Sequence, residues 1–286
     1  MSSVSESEVA APATDDERYN FLGSAGVAIA IGLVLALCAR AGATALLVGV
    51  AGAQTLLALA WIYGLALPGR RGALVIAAMA SAAADTVVSV WPHGRLGPLL
   101  AVLGLAMAAL FIHQLMRGAV RLRVLDSLGG VALLVLAEVC LPSLLQLRHE
   151  FLVANIGGQV VFGVVLASFG GLVVGFLVDT VITAPRFDPD VPRGLLALVG
   201  SAGFGGSAGY LTLRHSADFV GGRGAFAGAA LGALVALFAV GVAFAETEVL
   251  LAEEGFARRV RPLLGVLVPV AFLAPVAFLL CLAIRN

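Results

Sequence analysis

From residue 21 onward the chain alternates long apolar runs with short polar breaks. Within a run, apolar residues follow one another without the every-other-residue pattern of a barrel strand, so the runs predict helices. A backbone in hydrocarbon must satisfy its own amides, which also favours the helix. The predicted helices are 21–39, 43–67, 73–91, 98–116, 129–147, 156–182, 194–213, 223–245 and 262–284. About 20 residues at roughly 1.5 Å each cross a hydrocarbon core about 30 Å thick, so each run is long enough to span. The breaks carry turn chemistry: "PGRRG", "WPHGRLGP", "RGAVRLRV", "LRHE", "PRFDPDVPRG" and "RHSADFVGGRG". The break at "CARAGA", around Arg40, is the shortest, and its loss would swap the sides of every later loop.

The expected fold is all-α: a polytopic membrane helix bundle of about nine transmembrane helices, forming one domain over 21–286. Residues 1–20, "MSSVSESEVAAPATDDERYN", are polar, small and acidic and read as a disordered tail. They are not read as a signal peptide, because no basic segment precedes an apolar core. "AETEVLLAEEGFARRVRP" mixes Glu and Arg with apolar residues and reads either as an interfacial amphipathic helix or as a connector extending the eighth span.

Composition strengthens the membrane assignment. Hydrophobic residues make up 61% and charged residues 12%, with mean hydropathy +1.07; a soluble domain has about 45–50% and about 25%. A net charge of +0 and the complete absence of Lys give no footprint for nucleic acid. Arg residues are more numerous on the segments that share a side with the N-terminus, Arg70, Arg71, Arg117, Arg121 and Arg123 among them, than on the opposite loops. The expected location is therefore the cell membrane with the N-terminus cytoplasmic and the C-terminus outside. Trp61, Tyr63 and Trp91 fall where an interfacial aromatic belt would place them. Cys38, Cys140 and Cys281 lie in separate apolar runs and read as small buried hydrophobes rather than a disulfide or metal set.

An internal echo links "ADTVVSVWPHGRLGPLLAVLG" with "VDTVITAPRFDPDVPRGLLALVG", which suggests a repeat of 73–147 in 156–245. With three helices per copy, the copies would be inverted, an arrangement common in transporters.

Ionisable residues inside a span are costly and are functional candidates for that reason. Asp85, Glu138 and Asp179 qualify, with His113 near the end of the fourth span and Arg186 and Arg193 flanking the break after the sixth. These six are the candidate substrate-binding residues. Pro142 follows Glu138 closely and would free a carbonyl about one turn earlier. Asp188 and Asp190, on either side of Pro189, are the pair that would take a divalent cation through oxygen ligands; no other cofactor is evident. Gly224, Gly228 and Gly232 repeat every fourth residue, and Gly205 and Gly209 do the same one span earlier. Such a stripe permits close helix packing, between these two spans or across a homo-oligomer or partner seam.

The order of these segments resembles the CDP-diglyceride synthases (phosphatidate cytidylyltransferases). "ALAWIYGLALPGRRG" resembles their early basic loop, "LFIHQLMRG" with "LDSLGGVALLVLAEVCLPSLLQLR" their central helix pair, "LVDTVITAP" their Asp-bearing helix and "PLLGVLVPVAFLAPVAFLL" their closing helix. The resemblance implies a lipid-handling membrane protein with Asp179 at the family's Asp. The family's Lys residues and its His-Gly-Gly are absent, so it implies altered or lost cytidylyl transfer. Three classes of function follow: a lipid-handling relative of these enzymes, a small-solute or lipid transporter using intramembrane carboxylates, and a non-catalytic scaffold or complex subunit.

Overall fold

The computed structural model describes residues 15–65, 69–92, 96–116, 124–152, 155–182, 185–188, 191–250 and 256–285. Side chains are described for all of these except 15–19, 124–127, 188, 191–192, 246–250 and 256–259. The chain runs α1 (Asp15–Ala41), α2 (Ala43–Gly64), α3 (Arg70–Val90), α4 (Gly97–Met116), α5 (Val124–Cys140), α6 (Ser143–Glu150) and α7 (Gly157–Val181). A two-stranded antiparallel hairpin follows, β1 (Arg186–Asp188) and β2 (Val191–Gly194), and then α8 (Leu195–Leu213), α9 (Arg223–Leu250) and α10 (Phe256–Ile284). Among the described residues nine spans are long and apolar enough to cross a membrane, with α5 and α6 sharing one. The protein is an all-α, multi-pass membrane protein.

The short break near Arg40 exists. Gly42 has φ 141°, ψ 179°, a backbone that a side chain would strain, and it separates α1 from α2 without a loop. At the other end of the sequence, α9 continues unbroken to Leu250 and α10 begins at Phe256, so the Glu-rich segment up to Leu250 extends a span. The expected tail is shorter at its inner edge, since α1 starts at Asp15; residues 1–14 lie outside the described residues.

The fifth span is broken. Pro142 has no amide hydrogen, and α5 stops at Cys140, with a turn at Leu141–Pro142 before α6. The three prolines of α10, Pro262, Pro269 and Pro275, by contrast, leave that helix continuous.

α7 is the most enclosed span and α4 the least. α3, α4 and α5 pack on one another, as do α7, α8 and α9, while α1, α2 and α10 join the groups. The outer surface carries large apolar side chains such as Leu33, Val48, Leu105, Phe111 and Leu115, the surface a span turns toward hydrocarbon. The start of α1 lies beside the start of α10, where a Cβ on Gly23 would meet Pro262 at 3.7 Å, so the last turn of α10 is at the other end of the bundle.

α8 and α9 touch backbone to backbone. A Cβ on Gly228 would stand 2.0 Å from the Gly205 carbonyl oxygen, one on Gly209 2.1 Å from that of Gly224, and one on Gly232 2.1 Å from that of Ser201. The glycines of the stripe thus face each other inside one chain. Ser201 completes the seam by donating to the Gly171 carbonyl of α7 at 2.7 Å.

Candidate functional site in the membrane interior

Three spans bring four polar side chains together. Gln54 of α2, Ser81 of α3 and Glu138 of α5 each lie roughly 14–18 Å from both ends of their spans, at about 1.5 Å per residue. They are therefore at mid-depth. Asp85 is one turn beyond Ser81 on the same face of α3, roughly 8 Å from that helix's end.

The break at Pro142 builds the site. In a continuous helix the amide of residue 142 would bond the carbonyl of residue 138, and proline cannot supply it. The Gln54 side chain takes that place, donating through Nε2 to the Glu138 carbonyl at 3.0 Å. Gln54 is also a polar neighbour of the Asp85 carboxyl. Ser81 Oγ stands 2.6 Å from Glu138 Oε2 and 3.0 Å from the Ala77 carbonyl oxygen. Asp85 is an electrostatic neighbour of Glu138. Glu138 is 0% exposed and Gln54 2%, so water does not solvate them from the surface.

This cluster is rich in acceptors. Glu138 Oε1, Gln54 Oε1 and Asp85 Oδ1 are buried with no hydrogen-bond donor. Each such oxygen costs about 1–3 kcal/mol. Glu138, not Asp85, is the more deeply enclosed carboxylate; Asp85 is only half-buried.

Asp179 lies elsewhere and is fully engaged. Its Oδ1 accepts from the Gly194 amide at 2.9 Å, and its Oδ2 from Arg193 Nη1 at 3.5 Å. Gly194 precedes α8, so the carboxylate caps that helix from another element and meets the positive end of its dipole. The Arg193 guanidinium also lies 4.2 Å from the Phe176 ring centroid and 5.8 Å from that of Phe21. Arg186 is a further electrostatic neighbour of Asp179. The group ties α1, α7, the hairpin and α8 together at the face where α1 begins. A charge pair this buried is strongly destabilised when one partner is removed, by about 3–5 kcal/mol.

The remaining candidates fall apart from both groups. The half-buried His113 ring packs against Gly72 at the start of α3, where a Cβ would meet it at 2.1 Å. Asp190 lies outside the described residues, as does the side chain of Asp188. Among the described residues no three His, Cys, Asp or Glu gather as a metal site.

Gln54 and Ser81 are not ionisable, so the cost of a buried charge does not single them out in the sequence. The available signal was depth: both are hydrogen-bonding residues near the middle of an apolar run. No protein family, curated protein or solved structure matches the chain.

Proposed function

We propose that this protein is a small-solute transporter in which Asp85 and Glu138 form the interior site that binds a coupling cation. The observation that carries this reading is the convergence of the two carboxyls, from different helices, on Gln54 and Ser81 beside a broken span at mid-depth. Broken helices that expose backbone carbonyls and polar side chains at the bilayer midplane suit ion and substrate sites in transporters. The donor-poor oxygens argue the same way, because an inert packing contact gains nothing from leaving three acceptors unmet. The lipid-enzyme reading would need Asp179 and the neighbouring Arg residues to line an open pocket; Asp179 is 1% exposed and engaged by Arg193 and Gly194.

The test is uptake. Proteoliposomes holding the wild type, Asp85→Asn or Glu138→Gln are offered a small-metabolite extract under an imposed pH or sodium gradient, and their contents are read by mass spectrometry. The expected result is gradient-dependent accumulation of at least one solute by the wild type, lost in Glu138→Gln. No gradient-dependent solute, or equal accumulation in all three, would remove the transport reading.

For orientation we propose the cell membrane with the start of α1 on the cytoplasmic side, on the strength of the Arg distribution. His215, exposed between α8 and α9, then faces outward. A membrane-impermeant maleimide should label His215→Cys in intact cells. Labelling only after permeabilisation reverses the assignment.

A further inference from the structure

The coupling ion can be read from the hydrogen count at Ser81. Its hydroxyl owns one hydrogen, yet two oxygens lie within bonding distance of Oγ: the Ala77 carbonyl at 3.0 Å and Glu138 Oε2 at 2.6 Å. A carbonyl oxygen can only accept. If Glu138 were a carboxylate, it would also only accept, and the two would share one hydrogen; Ser201 shares its hydrogen between two neutral carbonyls in this way, but at Ser81 one of the two acceptors would be a buried charge. The carboxylate would then sit at mid-depth with one shared donor on Oε2 and none on Oε1. A proton on Glu138 Oε2 resolves the count: Glu138 donates to Ser81, and Ser81 donates to Ala77. The 2.6 Å spacing lies in the range of O–H···O bonds, about 2.5–3.0 Å.

Among the described residues, no cation is recorded beside Glu138; its recorded neighbours are Ser81, Gln54 and Asp85. Of the helices packed on α5, α3 presents Asp85, itself an acid, while its Arg70 and Arg71 lie at its far end, roughly 15–17 Å along the helix from Ser81, and α2 presents neutral Gln54. The His113 of α4 is against Gly72, at the opposite end of α3 from Asp85. The described charges of α10, Arg261 and Arg285, are near its two ends, and its interior titratable group is the buried Cys281. Within α5 the neighbouring titratable group is Cys140.

We propose that the coupling ion is a proton, carried on Glu138 Oε2 and held there by the Ser81 hydroxyl. Ser81 is a positioning residue and Glu138 the carrier. This inference rests on the transport reading of the same site.

Infrared spectroscopy of the full-length protein in lipid tests it. At neutral pH the wild type should show the C=O stretch of a protonated carboxylic acid, well separated from ionised surface carboxylates. Isotope labelling of the glutamate carboxyls should move that band, a check that needs no variant. Glu138→Gln should abolish it, and Ser81→Ala, which removes its hydrogen-bond partner, should shift it without abolishing it. Raising the pH should deplete the band, and added sodium should leave it unchanged. Its absence at neutral pH, its insensitivity to glutamate labelling, or its displacement by sodium would each overturn the proton assignment. Uptake that is lost in Glu138→Gln but driven by sodium would leave the transport reading standing while this one fell.

Discussion

At the scale of single residues, Pro142 and Gln54 make one device from two distant positions. Proline removes a backbone donor and a glutamine from another helix replaces it at the Glu138 carbonyl. The relation is measurable as a double-mutant cycle. Gln54→Leu leaves a buried carbonyl unpaired and should cost about 1–3 kcal/mol in the thermal stability of the purified protein. In a Pro142→Ala background the restored amide can serve that carbonyl, so the same substitution should cost less. Equal costs in both backgrounds would show that the two residues do not share this role. The cycle also explains what the sequence left hidden. That Pro142 would free a carbonyl could be read from spacing alone. That Gln54, remote in the chain, would meet it depends on how α2 lies against α5, which no local pattern encodes.

At the scale of elements, α8 and α9 meet along a seam where backbone packs on backbone. Close helix packing in a membrane rests on van der Waals contact and on small residues that let backbones approach, since hydrocarbon offers no hydrophobic drive between helices. Gly228→Ala forces a Cβ to within 2.0 Å of the Gly205 carbonyl and should push the two helices apart. Overpacking of this kind costs about 1–3 kcal/mol. Gly241→Ala on the same helix meets nothing within 4 Å and provides the control. A melting temperature lowered by the first and unchanged or raised by the second is the expected pair of results; equal effects would mean that the seam is not tight. Element boundaries were legible in the sequence wherever Gly, Pro and Arg interrupted an apolar run, including the marginal break at Gly42. The spacing of Gly224, Gly228 and Gly232 foretold a close contact and left open whether the partner was α8 or another molecule. The break in the fifth span was only half legible: a kink follows from proline, but separate helices with a turn between them depend on the packing around α5 and α6.

At the scale of the whole molecule, two polar groups sit at different depths in an otherwise apolar bundle, and their chemistry differs accordingly. The group at mid-depth has surplus acceptors and no cation, whereas the one near the α1 face pairs its carboxylate with an arginine and a helix amide. Asp85 and Asp179 stand in the same Asp-Thr-Val surroundings, which invite the same reading of both. What separates them is their neighbours, Glu138 in one case and Arg193 in the other, and those are fixed only when the helices assemble. The Asp179 lock also bears on how the chain is made. Synthesis proceeds from the N-terminus, so Asp179 leaves the ribosome 14 residues before Arg193 and 15 before Gly194. During that interval α7 ends in a carboxylate with neither of its final donors. The helix is completed as a membrane element only by the chain that follows it, which makes α7, the hairpin and the start of α8 a single unit of biogenesis.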